Sequence, residues 1–79
     1  MRVTVKLFAT LSQYGHGKRA GAPLEIELPV GATLRDLSSH LKIPPEATRV
    51  AFVNGIIQEP DCILKEGDEV GMFPPIGGG

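Results

Sequence analysis

Seventy-nine residues, 42% of them hydrophobic and 22% charged, make one small domain and leave no length for a second core. The net charge of −1 excludes a general field for nucleic acid or an anionic membrane, and no apolar run approaches the ~20 residues of a membrane span. Cys62 is the only cysteine, which excludes an internal disulfide scaffold; with His16 and His40 far from it, no zinc-ligand spacing is present. No basic segment followed by an apolar one opens the chain, so the expectation is a soluble cytoplasmic protein without a metal site.

RVTVKLF alternates strictly, with Val3, Val5 and Leu7 on one face and Arg2, Thr4 and Lys6 on the other, as in a half-buried strand. FATLSQYG spaces Phe8, Leu11 and Tyr14 three apart and predicts a short helix ended by Gly15. GHGKRAGAP reads as a loop. LEIELP alternates again, with Leu24, Ile26 and Leu28 inward, and predicts a strand antiparallel to the first.

Thr33 opens the clearest helix. Its hydroxyl is placed to accept from the N–H of Asp36, whose carboxylate sits in the positive first turn. Leu34, Leu37, Leu41 and Ile43 supply the apolar stripe, and Pro44 and Pro45 are expected to stop the helix. RVAFVNGIIQ then gives two short strands joined by Asn54-Gly55, the strongest short hairpin signal. EPDCIL is irregular, with at most one helical turn, and Gly67 turns the chain into a last strand from Glu69 to Phe73. The order β-α-β-α-β-β-β predicts an α+β roll: a mixed sheet of four or five strands packed on one main helix. With the first and last strands parallel at the centre, that roll is the ubiquitin-like β-grasp.

Several tempting motifs fail on context. Gly15 to Ala20 matches G-x-G-x-x-A, but Gly21, Ala22 and Pro23 follow it and cannot open a phosphate-binding helix. His40 lies late in the helix, where it suits the C-terminal dipole, and no Ser or Cys pairs with it. Cys62 has nothing beside it in sequence to activate the thiol and reads as a structural, partly buried residue. Glu66, Asp68 and Glu69 form an acidic turn without a cleft for acid–base chemistry. No constellation of residues supports an enzyme acting alone.

The end of the chain is different. FPPIGGG divides the sequence into a domain, 1–73, and an extended tail, 74–79. Pro74 and Pro75 fix φ near −65° and stiffen the base of the tail, while Gly77, Gly78 and Gly79 form a slim tip that passes a narrow channel without side-chain clashes. Six residues from Pro74 to Gly79 reach about 20 Å when extended. The terminal carboxylate is ionised at neutral pH and a poor electrophile, so it needs prior activation, which a separate enzyme could supply by forming an acyl-adenylate with ATP and Mg²⁺, before it accepts sulfur or a lysine amine.

DEVGMFPPIGGG, residues 68–79, resembles the C-terminal signature of the MoaD/ThiS sulfur-carrier family, above all that of the molybdopterin synthase small subunits. Gly67, Asp68, Glu69, Val70, Phe73, Pro74 and Pro75 match the pattern, Ile76 replaces its valine, Gly77 fills its variable slot, and Gly78-Gly79 is its terminal pair. VKLFATL (5–11) and VNG (53–55) extend the resemblance over the chain. It implies a β-grasp fold and a non-catalytic carrier whose Gly79 is adenylated by a ubiquitin-activating-like adenylyltransferase and converted to a thiocarboxylate. It also implies a heterotetramer with the molybdopterin synthase large subunit, into which Gly77, Gly78 and Gly79 thread. Phe8, Phe73, Pro74, Pro75 and Ile76 would form the docking surface. For Phe8 and Phe73, ordinary core packing is an equal alternative. Carriers for thiamine, cysteine or tRNA thiolation and ubiquitin-like modifiers share the tip chemistry, and a β-grasp interaction module with an inert tail stays open. No cofactor is expected on the chain itself.

Overall fold

Alternation of Val3, Val5 and Leu7 with Thr4 and Lys6 builds strand β1 (Arg2–Leu7), whose three apolar side chains are almost completely buried. A computed structural model describes residues 1–15, 17, 19–44, 47 and 50–75. It continues with a 3-10 helix (Ala9–Tyr14), β2 (Pro23–Glu27), α1 (Leu34–His40), β3 (Val50–Val53), β4 (Ile56–Gln58) and β5 (Glu69–Phe73). The sheet has five strands in the order β2-β1-β5-β3-β4. β1 and β5 run parallel at its centre, with Val5 opposite Val70, and the other neighbours are antiparallel. This is the expected β-grasp.

One face of the sheet meets α1. Leu34, Leu37, Leu41 and Ile43 pack with Val3, Val5, Leu7, Val53, Val70 and Met72 into a continuous apolar core. Leu37 is fully enclosed. Leu37→Ala is therefore expected to cost about 2–5 kcal/mol, a fall in Tm of ~8 °C or more, measurable by thermal denaturation.

The helix start holds the predicted bond, the Asp36 N–H donating to Thr33 Oγ1, and adds its reciprocal, the Thr33 N–H donating to Asp36 Oδ2, which completes a capping box. The next two orphan donors, Leu34 N–H and Arg35 N–H, are met by the carbonyls of Cys62 and Pro60. That is the work of the irregular EPDCIL segment. It forms a turn closed by Cys62 N–H on the Glu59 carbonyl, not a helical turn, and a bridge between Ile63 and Thr33.

Two expectations need correction. The helix stops before the prolines, because Lys42 takes a positive φ of 62°. Its N–H donates to the Ser39 carbonyl and that of Ile43 to Ser38, a Schellman ending with Ile43 buried. The segment after β1 is also tighter than a common helical face for Phe8, Leu11 and Tyr14 would require. Phe8 remains extended, its N–H continuing the parallel ladder to the Met72 carbonyl, and Ala9 turns the chain at φ 53°. Leu11 and Tyr14 join the helix-side core; Phe8 does not. Among the described residues, no helix is long and apolar enough to cross a membrane. His16, Lys18 and Pro45 lie outside the described residues.

Candidate functional site

The second face of the sheet carries the site. With Val70 and Met72 committed to the core, Gly71 and Phe73 of β5 project the other way, and the β3 register sets Phe52 opposite Gly71. Phe8 arrives from the end of β1 on the same side. Its ring stacks on Phe73 with centroids 4.5 Å apart and planes 5° from parallel. Phe52 meets Phe73 edge-on at 5.7 Å and 79°. All three rings are half-buried and stand apart from the core beneath α1. Phe8 and Phe73 are thus not ordinary core residues but members of a second, accessible aromatic cluster.

Glycines make room for it. A Cβ on Gly71 would stand 3.5 Å from Phe8 Cε2 and 3.8 Å from Phe73 Cε1, and a Cβ on Gly21 would stand 3.4 Å from Phe8 Cε1. The Phe8 ring is flanked by these two bare backbone positions. Beside the rings lies an open concavity of about 330 Å³, floored by Gly71 and edged by Thr4, Lys6, Gly55 and Glu69. A shallow apolar floor with a cation and a carboxylate at its rim suits a protein partner better than a small molecule.

Phe73 is also the last residue of the central strand, so the chain enters Pro74, half-buried, and Pro75, exposed, directly from the aromatic cluster. The root of the tail and the platform are one structure. Ile76, Gly77, Gly78 and Gly79, the remaining predicted site residues, lie outside the described residues. Phe52 and Gly71 were not singled out by the sequence; the only signal for Phe52 was its place two residues before the Asn-Gly turn.

The acidic turn is architectural. Glu66 Oε1 accepts from the Arg2 N–H at 2.9 Å. Asp68, a buried carboxylate at 6% exposure, accepts from the Lys65 N–H at 2.8 Å and from Asn54 Nδ2 at 2.9 Å. The Glu69 N–H donates to Asn54 Oδ1 at 3.0 Å, and the Asn54 N–H to the Glu69 carbonyl at 2.7 Å. These contacts fasten the β3–β4 hairpin tip to the start of β5. Cys62 is half-buried, its Sγ 3.7 Å from the Ile63 carbonyl oxygen. Among the described residues, no three His, Cys, Asp or Glu converge as a metal-binding group.

Comparison with known proteins agrees with the fold. The ThiS family profile matches residues 5–79. The chain is similar to the putative molybdopterin converting factor subunit 1 of Pyrococcus furiosus, with 36% identity and a TM-score of 0.72 over 96% of this chain and 99% of that one. SAMP1 from Haloferax volcanii shares the fold at 21% identity and TM-score 0.71, with both chains fully covered. A chain of the complex between subunits 1 and 2 of the molybdopterin-converting factor from Helicobacter pylori 26695 does so at 21% identity and TM-score 0.62, again over both full lengths. Among curated proteins nothing matches significantly. The chain belongs to the ThiS family.

Proposed function

We propose, from ThiS-family membership and from a tail rooted in an aromatic docking face, that the chain is a sulfur carrier and not itself an enzyme. The Gly79 carboxylate is adenylated by a ubiquitin-activating-like adenylyltransferase, which supplies the ATP and Mg²⁺. A sulfur nucleophile then displaces AMP at the activated carbonyl, and the product is a thiocarboxylate. This chain contributes a carboxylate on a slim arm and an apolar surface that positions the arm. The observation that carries the reading is the continuity of Phe73 with both: it centres the aromatic cluster and precedes Pro74.

The pathway proposed is molybdopterin synthesis, with the chain as small subunit inserting Gly77, Gly78 and Gly79 into a large subunit. The 36% identity to the Pyrococcus furiosus subunit 1 favours it. A second reading, conjugation of Gly79 to lysines of target proteins, is favoured by the likeness to the small archaeal modifier protein of Haloferax volcanii. Intact mass spectrometry of untagged protein from its own cells, under non-reducing conditions, separates them. A single oxygen-to-sulfur exchange at Gly79 is expected. Species joined through Gly79 to lysine would establish the modifier instead. A Gly79 left unaltered by the cognate adenylyltransferase, ATP and a sulfur source would remove both.

A further inference from the structure

Asn54 is the only asparagine in the sequence, and glycine follows it. This dipeptide has an intrinsic chemistry. Without a Cβ on Gly55, the Gly55 backbone nitrogen has unhindered access to the Asn54 side-chain carbonyl carbon, Cγ. Attack there forms a new N–C bond and expels ammonia, leaving a five-membered succinimide. Water then opens the ring to aspartate or isoaspartate. Nothing is oxidised or reduced, and water is the only co-reactant. The residues are open to it: Asn54 and Gly55 are both exposed, and nothing lies within 4 Å of where a Gly55 Cβ would stand.

The fold restrains this reaction. The Glu69 N–H can only donate, which fixes Oδ1 of Asn54 toward it and Nδ2 toward the Asp68 carboxylate. Both polar atoms of the amide are thereby held, and Cγ cannot swing onto the Gly55 nitrogen until both bonds open. Opening need not be global. β4 is a three-residue edge strand with all of its residues exposed, the kind of element that detaches locally.

We propose that Asn54 is a gated deamidation site, and that its modification releases the β3–β4 hairpin from the base of β5. The product carries a carboxylate where the amide donated to Asp68 Oδ1, so two acceptor-only anionic groups replace a donor–acceptor pair 2.9 Å long. Isoaspartate further adds a backbone carbon to a two-residue turn and breaks the Val53–Ile56 pairing. Phe52, two residues before, loses its fixed place against Phe73. The reaction is a one-way chemical clock on the aromatic face, independent of what that face binds.

Timed incubation at neutral pH, read by peptide mapping with mass spectrometry, tests the gate. Deamidation at Asn54 is expected to be slower in the native chain than in urea by a factor on the order of ten to a thousand, the range two hydrogen bonds, one to a carboxylate, account for. Asp68→Ala, shown folded by its thermal melt, is expected to shorten the gap. Equal native and urea rates, or no native reaction at all, would overturn the proposal. The consequence is tested separately by NMR of the Phe52 and Phe73 ring signals. Asn54→Asp is expected to shift them. Asn54→Asp with Asp68→Asn, which returns one amide and one carboxylate to the contact, is expected to restore them. An Asn54→Asp spectrum unchanged from the parent also overturns the proposal.

Discussion

On the proposed sulfur-carrier function, deletion of Gly78 and Gly79 is expected to abolish thiocarboxylate formation while leaving the thermal melt of the domain almost unchanged. The new terminus still ends in glycine and still carries a carboxylate, so the chemistry of the group is preserved. Its position is not. Two extended residues span about 7 Å, and the deletion withdraws the carboxylate by that distance from any site built for the full arm. A misplacement of ~1 Å at a reacting centre costs about a hundredfold, so the loss should be complete within detection. The melt is expected to stay because the buried apolar residues of the described structure run from Val3 to Met72. Incubation with the cognate adenylyltransferase, ATP and a sulfur source, followed by intact mass measurement, reads the first quantity, and calorimetry the second. Undiminished sulfur loading of the shortened chain would mean that the full length of the tail is not needed to place the acceptor.

The fold was legible wherever one local rule acted without a competitor. The period of two in RVTVKLF and the Thr33 cap on the Asp36 N–H each have a single structural solution, and both formed as read. The hairpin was equally plain: Asn54 and Gly55 take φ values of 53° and 83°, the positive pair that a type I′ turn demands. Failures came where two rules competed. Phe8 continues the outward set Thr4 and Lys6 at a spacing of two, and it also opens a spacing of three with Leu11 and Tyr14. The parallel ladder to Met72 decides in favour of the strand, but that contact is long-range and invisible in local sequence. The end of α1 was similar. Pro44 is a loud stop signal, yet Lys42 stops the helix first by adopting a conformation usual for glycine.

The tail was read from its residue types, and Ile76, Gly77, Gly78 and Gly79 lie outside the described residues; the surface beside it was less legible. FPPIGGG announces a stiff base and a bare tip through the chemistry of its residue types alone. The platform beside it depends on strand register, which brings Phe52 opposite Gly71 across β3 and β5. No spacing in a single sequence encodes that juxtaposition. Asp68 illustrates the reverse case. As one of three neighbouring carboxylates it read as part of an acidic turn, with nothing in the sequence to mark it as buried, and it is buried and spends its acceptor capacity on Lys65 and Asn54. A buried charge of this kind is tolerated because charge-assisted hydrogen bonds meet it.

On the proposed function, Phe73→Ala is expected to weaken binding to the cognate adenylyltransferase by about 30-fold or more, the effect of removing an aromatic hot spot worth at least ~2 kcal/mol. Its effect on stability should be smaller than that of Leu37→Ala. Phe73 contributes one stacked and one edge-on aromatic contact, each worth about 0.5–1.5 kcal/mol beyond simple burial. It remains half-buried, so part of its surface is already in water. Leu37, enclosed on all sides, has no such reserve. The two substitutions therefore separate the faces of the sheet: Leu37→Ala should lower Tm more and leave the affinity of the folded fraction intact, and Phe73→Ala should lower the affinity with a smaller fall in Tm. Phe52→Ala is expected to follow Phe73→Ala at a smaller amplitude, because among the described residues its ring meets the other aromatics edge-on, at Phe73, 5.7 Å away. Isothermal titration against the adenylyltransferase, paired with thermal melts of the same samples, measures both. If Phe73→Ala instead lost stability as heavily as Leu37→Ala and bound normally once folded, the aromatic cluster would be a second core, and docking would have to begin elsewhere on the domain.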